Sequence, residues 1–276
     1  MKISVIVPVG NRSLYRNCRA SILRSIELAR KGNCDWELIE VFDDDRRGVA
    51  WARNEGVNRS TGEYVGWVDC DDEVTERWAT AIADAIEDGG EDMIVFDARA
   101  EWEDGRGGYD LVYGRPAGKL SPVAFAKDVI GAGRSGGWLW NKVFRRELFA
   151  GRRFEGKAFE DYRMMCEILP TVKSIKYLPD ELYIYHRNAT GMSQYVNREG
   201  SLNALEALVG IADARKDSYA DDMRRGVAVQ AADFCRHAGG ESVLRGFLRK
   251  QLWNVWTCSD VAFRIKVKCL IEAFKV

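Results

Sequence analysis

At 276 residues, 46% hydrophobic and 30% charged, the chain can bury a substantial core and has the polar share of a water-soluble globular protein. A formal net charge of −1 leaves no basic field for a nucleic acid, and no apolar run approaches the ~20 residues that span a bilayer. The seven cysteines are odd in number, scattered and form no Cys-x-x-Cys pair, which argues against a disulfide framework or zinc knot and fits a reducing cytosol. The chain enters a strand pattern at once, with no basic-then-apolar leader, so a cytoplasmic protein is expected.

Ile3 to Val9 is a nearly continuous apolar run, as in a strand covered on both faces of a parallel sheet. Gly10 to Ser13 is turn chemistry, with Ser13 expected to cap a helix from Leu14 to Arg30. A second strand, Trp36 to Phe42, exits into Asp43-Asp44-Asp45, and Gly48 to Asn58 reads as a second helix. The third strand, Tyr64 to Val68, is short, aromatic and β-branched; Gly62 precedes it, and Asp69-Cys70-Asp71-Asp72 follows. Like charges about 5 Å apart repel by ~1–4 kcal/mol at an effective dielectric near 20. A hard divalent cation that also takes phosphate oxygens would compensate; the alternative is a solvated acidic turn before a helix starting near Thr75. A helix from Glu76 to Glu87 and a strand from Met93 to Ala98 complete about 100 residues of alternating strand and helix. That is a doubly wound α/β pattern with a mostly parallel sheet, in which ligands sit at the carboxyl ends of strands near a switch in strand order. Pro8 to Asn11, Asp43 to Asp45 and Asp69 to Asp72 would converge there.

Four motifs in order then carry a family likeness. They are Ser4-Val5-Ile6-Val7-Pro8-Val9-x-Asn11, Glu37-Leu38-Ile39 running into acids, Ala52-Arg53-Asn54-x-Gly56, and Gly62-Glu63-Tyr64 with Asp69-x-Asp71-Asp72. Further on stand Trp140-Asn141-Lys142-Val143-Phe144-Arg145-Arg146-x-Leu148-Phe149, Phe154-Glu155-Gly156, Phe159-Glu160-Asp161, and Tyr185-His186-Arg187 with Ser193 downstream. This series resembles the family 2 glycosyltransferases of the GT-A fold over roughly the first 195 residues.

The resemblance implies a nucleotide-sugar-binding half over 1–100, an acceptor and base half over 101–195, and a helical appendage over 196–276. It implies that Asp43 holds the nucleobase with Asp44 beside it, and that Pro8 and Asn11 line the donor site. Arg53 and Asn54 would lie near the phosphates and Asp69 at the ribose. Asp71 and Asp72 would bind Mn2+ or Mg2+ on the diphosphate of a nucleotide-sugar donor, with a UDP-sugar favoured. Asp161 becomes the general base for the acceptor hydroxyl, with Glu160 next to it in substrate binding. Inverting transfer needs a positioned base on one face of the sugar and charge stabilisation at the leaving group on the other. Read alone, Asp161 is more simply an acid satisfying backbone amides at a helix start, and its register with the upstream motifs is what favours the base role.

The chain also departs from the family pattern. Gly10 replaces the aromatic usually found before the Asn of the first motif, and Asp45-Arg46-Arg47-Gly48 replaces a Gly-Ser-rich turn in a shortened segment. Arg46 and Arg47 read as solvated loop charges, with diphosphate contact the alternative. His186 reads either as a further metal ligand or as a half-buried structural imidazole. Lys142 is either paired with an acid in a strand or in contact with phosphate or acceptor. Gly131 to Gly137 lacks the Lys-Ser/Thr ending of a P-loop and is expected as a mobile loop beside the acceptor.

From Asn197 onward the pattern is helical. Residues 243–276 combine seven lysines and arginines against two acids with Phe247, Trp253, Trp256 and Phe263. This suits contact with an anionic membrane surface, which would place the protein at the inner face of the cell membrane; a core-packing or dimerising helix pair is the alternative. The expectation is therefore a metal-dependent, inverting, hexosyltransferase-type enzyme acting on a glycan or lipid-linked acceptor in bacterial surface polysaccharide synthesis. A catalytically inactive nucleotide-sugar or glycan-binding module of the same fold is the second reading, and an oligomer is compatible with either.

Overall fold

The computed structural model describes residues 1–29, 34–102, 107–131, 136–187, 198–238 and 242–275. They form two compact units, one of Met1–Pro122, Trp138–Glu155 and Thr171–Gln194, the other of Val123–Gly137, Gly156–Pro170 and Tyr195–Val276. Residues 132–135 of the glycine-rich loop, and Ser193, lie outside the described residues.

The first unit carries one mixed sheet. Its elements are β1 (Lys2–Val9), α1 (Tyr15–Ala29), β2 (Asp35–Phe42), α2 (Val49–Arg59), β3 (Tyr64–Trp67), β4 (Glu73–Val74), α3 (Trp78–Gly89), β5 (Met93–Trp102), β6 (Gly108–Leu111), β7 (Gly118–Leu120), β8 (Lys142–Arg145) and β9 (Ile175–Arg187). The strand order is β2-β1-β3-β8-β5-β9-β4, with β6 on β5 and β7 on β9. β1 pairs in parallel with β2 and β3, β8 runs antiparallel to β3 and β5, and β5 pairs in parallel with β9. Strands β2, β1, β3, β5 and β9 thus share one direction, the mostly parallel arrangement expected.

Continuous burial from Ile3 to Val9 confirms a strand covered on both faces. Beyond Ala98, β5 runs on to Trp102 because β6 and β9 both pair with the extension. Helix α3 begins at Trp78, two residues later than its apolar pattern suggests, because Thr75 O and Trp78 N close a tight turn first (3.1 Å). The turn before α1 is held by Asn11 rather than capped by Ser13. Asn11 Oδ1 accepts from both the N–H (3.0 Å) and the hydroxyl (2.7 Å) of Ser13, an Asx turn that leaves the serine as donor.

Two motif glycines are explained by packing. A Cβ on Gly56 would stand 2.2 Å from Ile6 Cγ2, so its absence is what lets α2 lie down on β1. A Cβ on Gly62 would meet Ser4 Oγ at 2.6 Å and Lys2 O at 2.9 Å, where the chain enters β3 against β1. Beside Gly62, Glu37 ties three segments together. It accepts from Lys2 Nζ (2.5 Å), Ser4 Oγ (2.5 Å), Thr61 N (2.6 Å) and Thr61 Oγ1 (2.9 Å). On this same face of the sheet, where Trp67 is in register with Ile6, Trp67 packs edge-on against Phe144, Phe149 and Phe154.

The second unit is helical. It contains α4 (Pro122–Ile130, within the unit from Val123), α5 (Glu160–Ile168), α6 (Arg198–Ala214), α7 (Ala220–Ala238), α8 (Ser242–Thr257) and α9 (Phe263–Phe274). Tyr162 on α5 donates to Ile130 O at the end of α4 (2.5 Å), and Gly226 of α7 has no room for a Cβ against that same carbonyl. Among the described residues no helix is long and apolar enough to cross a membrane.

Burial works against the charge of Glu37, but the hydrogen bonds from Lys2, Ser4 and Thr61 outweigh it and bring the carboxyl down to about 2. A depressed acid stabilises the fold fully above its unfolded value near 4.5 and loses that contribution as the pH falls towards 2. Glu37→Gln is therefore expected to cost about 2–3 kcal/mol at pH 7 in urea unfolding, with the gap to wild type closing when the titration is repeated between pH 4.5 and 2.5. An equal gap at both ends would show that the charge of Glu37 is not what holds these segments.

Candidate active site

The strand order reverses at β1, with β2 on one side and β3 on the other, so the carboxyl ends of β1 and β3 flank the crevice in which open α/β sheets bind ligands. The acids of β3 turn there, with Asp72 N donating to Asp69 O (3.1 Å). Asp72 itself faces inward and is 1% exposed. Its Oδ2 accepts from the Tyr183 hydroxyl (2.7 Å) and its Oδ1 from the His186 backbone N–H (2.8 Å). The same Tyr183 oxygen accepts from Asp69 N (3.0 Å), so one phenol on β9 holds both ends of the acidic turn. Burial above all, and then Asp69 and Asp71, push the Asp72 carboxyl well above the usual range; the two hydrogen bonds only partly oppose this. The structure thus places Asp72, expected as a further metal ligand, with each oxygen bound to β9. His186 contributes its backbone to that link, while its ring meets Glu73 Oε1 at 3.1 Å.

Asp69 and Asp71 remain on the crevice side, half-buried. Asp69 Oδ1 lies 3.6 Å from Arg53 on α2, whose side chain is 6% exposed. The Cys18 thiol donates to Asp69 O (3.5 Å). Burial raises the Cys70 thiol, and the N–H groups of Asn11 and Gly10 oppose that, which ties the β1 exit loop to the β3 turn. Among the described residues no three His, Cys, Asp or Glu groups assemble into a metal cage. Two crowded carboxylates instead suit a Mg2+- or Mn2+-type cation that brings phosphate oxygens and water as its other ligands, a mode in which one or two protein acids suffice.

The remaining donor-side residues mostly shape loops. Pro8 is buried in β1 opposite Val41 of β2. Val9 O accepts from Asp43 N (3.0 Å), which sets Asp43 beside the end of β1. The carboxylate of Asp43 accepts from Arg47 N and Gly48 N (both 2.7 Å) and so closes the turn in which Arg46 takes a φ of 56°. Asp44 is exposed and pairs with Arg12 through both oxygens (3.0 and 2.7 Å), and the Arg12 guanidinium lies 4.1 Å over the Phe42 ring. Space is open where a side chain at Gly10 would stand. Arg47 pairs with Asp45 and covers the Trp51 ring, an exposed loop charge as expected. Asn54 exchanges two hydrogen bonds with the backbone of Phe154, both 2.9 Å. Lys142 is fully buried on β8, where its ammonium donates to Trp138 O (2.7 Å) and Asn141 Oδ1 (2.6 Å).

In the second unit Glu160 and Asp161 open α5, directly after Phe159, which has a φ of 57°. Glu160 is buried, while Asp161 is half-buried and accepts from Tyr162 N (2.7 Å). A left-handed conformation costs a bulky L-residue roughly 1–2 kcal/mol, and such strain collects at functional positions. Among the described residues the two non-glycines with positive φ are Arg46 and Phe159, one beside Asp43 and one beside Glu160-Asp161.

Sequence reasoning missed the support behind the acids. Tyr183 stacks on Trp140 (4.6 Å between centroids), and Trp140 stacks in turn on Trp138 (5.2 Å) and Tyr185 (5.8 Å). The alternation Tyr183-x-Tyr185 puts both rings on one face of a strand and was the available signal. Which acid they would meet depends on pairing across 111 residues.

Comparison with known proteins agrees with this geometry. Residues 27–150 match the family model described as "Glycosyl transferase family 2". The chain is 25% identical over 230 residues to the "Uncharacterized glycosyltransferase YibD" of Escherichia coli, covering 73% of this chain and 66% of that protein. It is 25% identical over 217 residues to "Glycosyltransferase GlyG" of Streptococcus pneumoniae, covering 68% and 71%. The fold resembles that of residues 1–349 of S. aureus TarS, crystallised with UDP-GlcNAc, at a TM-score of 0.65 and 17% identity over 96% of this chain and 83% of that one. Motif order, family model and strand topology thus agree on a family 2 glycosyltransferase-like domain, matched by the family model over residues 27–150.

Proposed function

We propose that this protein transfers a sugar from a nucleoside-diphosphate donor, a UDP-sugar first among candidates, to a hydroxyl of a glycan or lipid-linked acceptor, with inversion at the anomeric carbon. The observation that carries the reading is the acidic turn at the switch in strand order, with Asp72 anchored in the core, Asp69 and Asp71 left on the crevice side, and Arg53 next to Asp69. Holding like charges together in this way is unfavourable unless a ligand uses them. In support, the similar TarS structure was solved with UDP-GlcNAc and with UDP.

Asp69 and Asp71 would hold a divalent cation, which when bound supplies positive charge to the departing diphosphate. Arg53 adds a second positive charge from the α2 side, and its burial keeps that charge from being screened by water. Asp43 takes the nucleobase, since its loop-closing hydrogen bonds use one lone pair on each oxygen and leave others for a base N–H. Asp161 is the general base. The acceptor oxygen loses its proton to Asp161 and bonds to the anomeric carbon as the bond from that carbon to the diphosphate breaks. A surface polysaccharide or glycolipid is the proposed product class.

Helices α8 and α9 support a site of action at the inner face of the membrane. Trp253 is 78%, Phe263 71% and Phe274 60% exposed, on a segment in which basic residues outnumber acids seven to two. Aromatic side chains set among cations suit the interface of an anionic bilayer.

Asp161→Asn is expected to lower transfer at least 100-fold, with UDP affinity and melting temperature unchanged; undiminished turnover would remove Asp161 as base. If wild type binds UDP-sugars but neither transfers nor hydrolyses any, the protein is the inactive binding module instead. The acidic turn separates by role. Asp71→Asn is expected to weaken Mn2+-dependent UDP binding tenfold or more without lowering stability. Asp72→Ala leaves the Tyr183 hydroxyl and the His186 N–H without their acceptor and should cost about 2–4 kcal/mol in unfolding. The reverse pattern would exchange their roles. For the membrane surface, Trp253→Ser with Phe263→Ser should abolish sedimentation with phosphatidylglycerol vesicles, and wild type should leave phosphatidylcholine vesicles unbound; sedimentation of the variant with anionic vesicles at the wild-type level would overturn it.

A further inference from the structure

An open pocket of about 660 Å3 lies on the first unit between α2 and the segment 146–154 that follows β8. Arg146, Arg152, Arg153 and Asn58 contribute to its lining, and Glu147 is the one acid among the lining residues. Arg146 gives its Nε proton to Gly62 O (2.8 Å) and Arg152 one Nη1 proton to Leu148 O (2.7 Å), which leaves each guanidinium with further donors. Among the described residues Arg153 makes no ion pair or hydrogen bond, although cations set this close to one another repel.

The pocket is built rather than left over between surface side chains. Its segment is pinned at the start by Arg146 N to Glu63 O (2.9 Å) and at the end by the two hydrogen bonds between Asn54 and Phe154. Within it, Ala150 N to Glu147 O (3.0 Å) and Arg152 N to Phe149 O (3.1 Å) form successive tight turns. Gly151 takes a positive φ (74°) inside the second of them, so another residue there would be strained. Phe149 and Phe154 stack (6.1 Å) and both pack edge-on to Trp67, which gives the wall a fixed aromatic backing.

We propose that this pocket binds a phosphate group carried on a saccharide, as an anchoring site for the acceptor separate from the acidic turn. A phosphate presents three or more oxygens to three guanidinium forks, whereas a carboxylate presents two. The volume far exceeds a bare phosphate and lies in the range of sites that enclose a ligand the size of a disaccharide. The lining on α2 starts at Asn54, next to Arg53, and runs to Asn58, roughly 6 Å further along the helix, so the pocket extends away from Arg53 and the donor phosphates. The saccharide half of the proposal rests on the glycosyltransferase reading; the anion half rests on the arginines alone.

The test is calorimetric titration of the full chain with trehalose 6-phosphate, trehalose and inorganic phosphate, with UDP and Mn2+ titrated in parallel. Trehalose 6-phosphate is expected to bind wild type and to lose tenfold or more in affinity in R152Q/R153Q, with a smaller loss in R153Q alone and a fall as NaCl is raised. Neutral trehalose should not bind, and UDP affinity should be the same in all three proteins. Failure of trehalose 6-phosphate to bind wild type, or equal binding by wild type and R152Q/R153Q, overturns the site. Inorganic phosphate as tight as trehalose 6-phosphate overturns the saccharide part. Loss of UDP binding by wild type, with trehalose 6-phosphate behaving as expected, would instead overturn the donor reading and leave the pocket standing.

Discussion

The first unit depends on one hydroxyl. Tyr183 gives its proton to Asp72 and accepts that of Asp69 N, so a phenol from β9 fixes both ends of a turn that starts at the end of β3. Burying a carboxyl next to two others is costly, and the cost appears as the upward push on Asp72 from burial, Asp69 and Asp71. The two hydrogen bonds, with Trp140 stacked on the Tyr183 ring, keep the turn from relaxing outward into water. What results is a division of labour. One acid is spent on holding the turn, and two are kept at the crevice with Arg53 beside them.

Such an arrangement belongs to function more than to stability. A core that replaced Asp72 by an apolar side chain would shed the desolvation cost but lose the link to the Asp69 backbone. The same trade recurs at Asp43, whose carboxylate closes a turn with Arg46 in a left-handed conformation, and at Phe159, strained just ahead of Glu160-Asp161. Local rules of sequence and backbone break where chemistry is expected, and the regular packing elsewhere in each unit offsets the cost.

The alternation of strands and helices was legible in the sequence because it depends on period and turn residues, which are local. β1 could be read from an unbroken apolar run and β3 from its abrupt acidic end. Positions of acids at strand ends were legible too; their direction was not. Nothing local distinguishes Asp71 from Asp72. One is half-buried at the crevice and the other sunk in the core because Tyr183 and His186, more than a hundred residues away, supply its partners. Asn54 shows the same limit. Motif order suggested a phosphate contact, whereas its carboxamide bridges to the backbone of Phe154, an architectural bond that position in sequence cannot reveal.

Gly56 and Asn54 together show why the Ala-Arg-Asn-x-Gly motif has specificity beyond its charge. Gly56 removes the one methyl group that would lift α2 off Ile6, and Asn54 ties the outer side of the same helix to the segment after β8. Arg53, directly before these two contacts on the same helix, then has little freedom of height or rotation, and its guanidinium reaches Asp69 with its side chain almost wholly out of water. A charge placed that rigidly is pre-organised for a developing anion, since no further ordering is needed when the anion forms. The motif is better understood as a bracket around one arginine than as a set of ligands, and its glycine and asparagine matter through the position they impose on their neighbour.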